Sequence, residues 1–315
     1  MKRLAMALAQ AGIVAACLYY ALKTFDFTRV LQVLAGVPVW KALLVFLVQC
    51  ALAWPLSLLR LQSLCRFEVP WETGLLAQSL GQFLNLLLPA KLGEAAKMTL
   101  LARNIAGGLT RVTEIVFWER FADLNALLLL VLASGALLGG AALALPVALV
   151  VGGLWGAVFV LKLWGGHVDR LLSLLPWPRL AGYLMGVAGA IRVRLTPGFA
   201  LGLAILTLPL WLGQVLTHWL VLRWVFHLSL TPLQVLAVST AGLAGMVTPA
   251  TPGSVGIYEA ALVATLMAFG QPQEESLAGA LLLHAAAVAP VLLSGVWATA
   301  RIGVKAALGL GRAAA

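Results

Sequence analysis

From Leu4 to Leu22 the chain carries no charged residue, and apolar runs of similar length return at about 42 to 60, 143 to 163, 198 to 222 and 276 to 300. A run of about 19 residues, rising 1.5 Å per residue as a helix, covers roughly the 30 Å hydrocarbon thickness of a bilayer. In lipid such a run can satisfy its backbone polar groups internally only as a helix. The repeated length therefore predicts an all-α, polytopic membrane protein. Composition agrees, since 62% of the 315 residues are in the set AVILMFWYC and only 10% are charged. Soluble domains carry about 25% charged residues, so a soluble globular fold is excluded.

Lys2 and Arg3 precede the first run, and Val14-Ala15-Ala16-Cys17 imitates a lipoprotein cleavage box. The run is nevertheless read as a span, because the topology below needs it. An amphipathic piece follows at about 26 to 36, then a second span at about 42 to 60. The apolar stretch from Leu75 to Leu88 is stopped by Pro89 and resumes after Gly93, so it reads as a broken helix. A third span, about 112 to 138, carries Glu114, Glu119, Arg120 and Asp123 in its first half. The same order then returns: a fourth span at about 143 to 163, an amphipathic segment at about 167 to 195, a fifth span at about 198 to 222, a second broken stretch at 234 to 270, and a sixth span at about 276 to 300.

Leu76, Ala77, Ser79, Pro89, Ala90 and Gly93 match Leu236, Ala237, Ser239, Pro249, Ala250 and Gly253, each at an offset of 160. The reading is one integral membrane domain over 1–315, with repeat 1 at about 1–140, repeat 2 at about 141–305 and a tail at 306–315. If each broken stretch enters and leaves on one side, each repeat has three full crossings and the second copy is inverted. With the N-terminus inside, 14 basic residues fall in cytoplasmic segments (among them Arg60, Arg66, Arg111 and Arg194) and 4 in outer ones, the bias expected for cytoplasmic termini. The net charge of +10 is accounted for by this flanking pattern, and no nucleic-acid motif accompanies it. Two inverted repeats with interrupted helices are a recurring transporter design.

Irregular backbone at membrane depth must be surrounded by protein or line a wet cavity. The expected re-entrant tips are Pro89 and Gly93 in the first repeat, and Pro249, Pro252, Gly253 and Gly256 in the second. Each second arm begins a half-helix whose unpaired N–H groups favour an anion such as a phosphate. Lys91, Lys97 and Arg120 are expected to meet an anionic headgroup. Glu94, Glu119, Asp123 and Glu259 are expected to pair with those cations, bind a cationic headgroup or relay protons. The competing reading of such charges is a set of buried ion pairs that fasten helices together, or groups at headgroup level, and it is preferred for Glu114, Arg103 and Arg111.

His167, His218, His227 and His284 show no ligand spacing and are assigned to packing, as are Cys17, Cys50 and Cys65. The tryptophans read as interfacial anchors. No phosphate-cradling GxxxxGK[ST], HExxH or GxSxG motif occurs, so no catalytic residue, metal or cofactor is expected.

Three motifs in order, Pro89-x-x-x-Gly93-Glu94, Glu119-Arg120-x-x-Asp123 and Pro249-x-x-Pro252-Gly253-x-x-Gly256-x-x-Glu259, resemble the flippase-like family of the lysylphosphatidylglycerol synthase transmembrane region. The resemblance implies movement of lipids between leaflets, including aminoacylated phosphatidylglycerol, with relatives linked to hopanoid or polyprenyl-linked glycolipid pathways. Ser254 stands where such relatives often have a second glycine. No soluble aminoacyl-transfer domain follows the sixth span, so synthase activity is not implied.

The expected function is a lipid flippase or lipid transporter of a prokaryotic inner membrane, moving a phospholipid or isoprenoid-linked lipid whose headgroup passes a charged midplane cavity. Membrane lipids are the expected partners and nucleic acid is not. A lipid-modifying enzyme or glycosyltransferase stays open as a protein partner, as does the oligomeric state. Two other readings stand beside it: an accessory subunit or membrane enzyme of polyprenyl-linked glycolipid synthesis, and a small-solute transporter.

Overall fold

The computed structural model describes residues 26–88, 92–137, 141–247 and 251–303. The expected first span and the tip residues Pro89, Lys91 and Pro249 lie outside the described residues. Among the described residues the fold is all-α, as the apolar periodicities require.

A short amphipathic helix α1, Phe27–Ala35, is started by Asp26, whose Oδ1 accepts the Arg29 N–H at 3.1 Å. It buries Val30 and leaves Leu31 exposed. Helix α2 is Val39–Leu64, and the broken stretch that follows gives α3, Trp71–Leu87, and α4, Gly93–Ala102. Helix α5, Gly108–Leu137, is 30 residues long. Helix α6, Ala141–Leu163, is followed by α7, Gly165–Ser173, and α8, Pro178–Arg194. Where one amphipathic segment is expected over 167 to 195, two helices form. Pro176 and Pro178 cannot continue α7, and Pro178 instead occupies the first turn of α8, where a missing N–H costs nothing.

Helix α9, Pro197–Trp219, runs on into a π-helical turn, Leu220–Val225. Thr231 Oγ1 accepts the Gln234 N–H at 3.2 Å and so starts α10, Pro232–Val247. After a single 3₁₀ turn, Pro252–Ser254, come α11, Ile257–Ala268, and α12, Gln273–Ile302. The order that begins with α1 thus recurs from α7 onward: amphipathic, long, broken pair, long.

Among the described residues four helices are long and apolar enough to cross a membrane: Val39–Leu64, Ala144–Leu163, Pro197–Val225 and Gln273–Ile302. Helix α5 has the length but not the composition, because Arg111, Glu114, Glu119, Arg120 and Asp123 crowd its first half. Each of the four apolar helices contains one internal proline: Pro55, Pro146, Pro209 and Pro290. The arms α3, α4, α10 and α11 have 17, 10, 16 and 12 residues. At 1.5 Å per residue each is about 26 Å or less, shorter than the hydrocarbon core.

The chain divides into two compact units, each drawing on both halves of the sequence. One comprises 1–55, 78–96 and 211–315, the other 56–77 and 97–210. The first has a core of Val30, Val45, Leu222, Val238, Leu262, Leu266 and Leu283 with their neighbours. The second is built around Leu61, Leu101, Ile115, Trp118 and Phe121. Within each unit, helices surrounded by lipid are held together by van der Waals packing and interhelical hydrogen bonds, because lipid tails are as apolar as the side chains buried here.

Candidate functional site

In the first unit α11 runs back against α10 through small residues. A Cβ on Gly242 would lie 2.6 Å from Leu262 Cδ2 and 3.2 Å from the Tyr258 ring, so only glycine permits this approach. The connecting tip is a run of left-handed residues: Gly253 at φ +61°, Ser254 at +59° and Gly256 at +85°. Two of the three are glycines, as that conformation favours. Ser254 adopts it too, which resolves the backbone path that the missing second glycine leaves undefined. Its Oγ donates to the Met246 carbonyl at 3.1 Å, offsetting strain of about 1–2 kcal/mol. The Ser254→Ala protein, which keeps the strain and loses that bond, should be less stable than Ser254→Gly by about 1 kcal/mol in thermal unfolding; the reverse order would mean that the tip does not hold this backbone.

This turn delivers Glu259 to two partners. Its Oε2 accepts the Gly256 N–H at 2.8 Å, capping α11. Its Oε1 meets Nδ1 of His284 on α12, and His284 Nε2 donates to the Gly253 carbonyl at 3.0 Å. A carbonyl oxygen only accepts, so Nε2 must carry a hydrogen. The remaining contact then holds a single proton, shared between Nδ1 and the carboxyl group: imidazolium with carboxylate, or imidazole with carboxylic acid. Tyr258 packs its ring 5.1 Å from His284 and turns its hydroxyl to His218 Nε2 at 3.0 Å, while His218 Nδ1 reaches the Gln214 carbonyl at 2.7 Å. Tyr258 and His218 are both buried.

The other broken pair is tightened in the same way. A Cβ on Gly93 would come within 2.0 Å of the Gly81 carbonyl, and Asn85 Nδ2 donates to Glu94 Oε1 at 3.4 Å. In the second unit, Lys97 Nζ of α4 meets Glu119 Oε2 of α5 at 2.5 Å, with both side chains almost completely buried. Four residues on, Asp123 accepts from Arg60 of α2 at 2.6 Å, and Arg120 approaches Asp123 at 3.5 Å with its own side chain 49% exposed.

Each second arm is thus fastened to the long helix that follows it by one acid–base pair, fully buried in the first case and mostly buried in the second. Lys97 on α4 joins Glu119 on α5, and Glu259 on α11 joins His284 on α12. The acid sits on the long helix in the first case and on the arm in the second. Both half-helix starts also receive a carboxylate of their own: Glu94 lies in the first turn of α4 and Glu259 caps α11. The position at which the sequence offers α11 to a phosphate is therefore taken by Glu259.

The structure brings together Lys97 with Glu119, and Asp123 with Arg120, among the residues singled out from sequence. Pro252, Gly253 and Gly256 form the tip on which Glu259 depends. Three partners were missed. His284 is assigned to packing by sequence, yet both of its ring nitrogens have polar partners. Arg60 is counted as a flanking charge, yet it lies inside α2, 4% exposed and bound to Asp123. Tyr258 carries no sequence signal beyond its place beside Glu259. The signal for Arg60 was weak, because an arginine four residues before the end of an apolar helix is able to snorkel to the headgroup level without any carboxylate.

A family model described as the lysylphosphatidylglycerol synthase TM region matches residues 7–295. The chain belongs to this family. Among curated proteins none matches the chain. Membership in the lysylphosphatidylglycerol synthase transmembrane-region family, together with the four apolar helices, establishes an integral membrane protein and points to lipid metabolism or transport. Almost the whole described structure, including both acid–base pairs, falls within the matched residues.

Proposed function

We propose that the protein moves a phospholipid or isoprenoid-linked lipid between the leaflets of a prokaryotic inner membrane, with both termini cytoplasmic, and leaves the lipid chemically unchanged. The observation that carries this reading is the recurrence of one device: a short interrupted helix pair whose second arm is held to a long helix by a buried acid–base pair. Ionised groups at membrane depth are expensive and mark pathways for polar cargo or protons. An amphiphile suits such a protein because its tails can stay in lipid while only the headgroup needs polar company. Short arms that dip and return would make the broken pairs re-entrant, and the recurring order of elements supports two inverted repeats.

The test is reconstitution of the pure protein in liposomes with fluorescent headgroup-labelled lipids and a quencher confined to one leaflet. Faster exposure of an anionic, aminoacylated or isoprenoid lipid, recovered intact by mass spectrometry, is expected. No acceleration for any of them would remove the proposal, and chemical conversion of the lipid would replace transport with catalysis.

A further inference from the structure

A second polar cluster lies in the 56–77 and 97–210 unit, away from the acid–base pairs just described. Glu114, in the second turn of α5, is completely buried. Arg111 Nη1 donates to its Oε2 at 2.6 Å, and Arg194 Nε, from the last turn of α8, lies 3.7 Å from its Oε1. Arg194 is further held by a bond from Nη2 to the Ser63 carbonyl at 3.1 Å and by the Phe199 ring, 4.8 Å from its guanidinium carbon. The exposed Arg66 acts electrostatically on both Glu114 and Arg194. Two guanidinium groups therefore meet one carboxylate, and the exposed Arg66 adds a third positive charge to their field.

That arithmetic leaves two positive charges uncompensated, and the hydrogen bonding leaves a matching deficit. Arg194 Nη1 and Arg111 Nη2 are both buried and without an acceptor, against a single buried acceptor without a donor, Glu114 Oε1, so the donors remain in excess. Arg194 as a whole is 7% exposed. A charged donor left unpaired away from water is strongly unfavourable, far more than the gain from one ordinary hydrogen bond. Glu114 fixes both planar groups in place, so their remaining N–H groups are oriented before any ligand arrives. A tetrahedral oxyanion supplies what is missing: charge of the right sign and several acceptor oxygens that match guanidinium forks.

We infer that Arg111, Arg194 and Arg66 form a phosphate-binding site, filled by the phosphate of a lipid headgroup or by a free phosphate ion. Arg194 is the buried ligand, Arg111 a partly buried one, Arg66 the outer cation, and Glu114 a positioning residue. All three arginines belong to segments that the charge bias assigns to the cytoplasmic side. The site stands whether or not the protein transports lipid, because it rests on the arginine cluster alone.

The full chain in neutral detergent is titrated with inorganic phosphate, ionic strength being held constant with chloride, and thermal unfolding is followed by tryptophan fluorescence. The same protein is then compared in nanodiscs of phosphatidylcholine with and without phosphatidylglycerol. Stabilisation by phosphate over chloride identifies a soluble anion; stabilisation by phosphatidylglycerol alone identifies a headgroup; either supports the site. Arg194→Gln should abolish the effect. Arg66→Gln, at an exposed position, should fold normally and weaken binding about tenfold, the loss expected for one charge-assisted contact. Absence of any preference for phosphate or phosphatidylglycerol would overturn the inference, as would full stabilisation persisting in Arg66→Gln and in a folded Arg194→Gln.

Discussion

In detergent the Lys97→Met protein unfolds well below wild type, with about 3–5 kcal/mol of stability lost. Glu119 is completely buried, and removing the ammonium at 2.5 Å leaves its carboxylate with only the more distant Arg60 and Arg120 for compensation. Adding Glu119→Leu to Lys97→Met should recover most of that loss, because a pair replaced by apolar side chains no longer strands a charge. The two proteins together separate fastening from function. If the pair only joins α4 to α5, the double variant is both stable and active; if a headgroup uses it, the double variant is stable and slow. A Lys97→Met protein within about 1 kcal/mol of wild type would show that Glu119 is not held as a carboxylate by Lys97.

Glu259→Gln separates the same two roles in the other half of the chain, and its expected outcome is a folded protein with transport reduced about tenfold or more. A glutamine oxygen can still accept the Gly256 N–H, and its amide can donate to Nδ1 of a neutral His284 whose Nε2–H keeps the Gly253 carbonyl. Every hydrogen bond of the network survives. What disappears is the shared proton and the capacity of the pair to exchange it. The checks are a thermal midpoint close to wild type and a leaflet-quenching rate in liposomes. Unchanged transport would leave the pair as a clasp between α11 and α12 and nothing more.

Helix positions were the most legible part of this chain, because lipid imposes length and apolarity on a segment one residue at a time. The expected breaks at Pro89 to Gly93 and Pro249 to Gly256 fall between α3 and α4 and between α10 and α11. Partnership was much less legible. That Glu259 needs a hydrogen-bonding partner follows from its charge in an apolar setting, but the choice of His284, 25 residues away, depends on how α12 rotates against α11. Arg60 and Asp123 are 63 residues apart, and no local spacing relates them. The single amphipathic segment expected over 167 to 195 shows the opposite error: its arginine and leucine pattern runs through, but prolines near Trp177 overrule the pattern.

The four internal prolines set the mechanical character of the molecule. A proline inside a helix deletes one rung of the hydrogen-bond ladder and pushes its ring against the carbonyl one turn earlier. Helices α2, α6, α9 and α12 each have one such missing rung, whereas α5, the helix that carries Glu114, Glu119 and Asp123, has none. Compliance is therefore distributed over the apolar helices, while the charged helix keeps an unbroken ladder along its length.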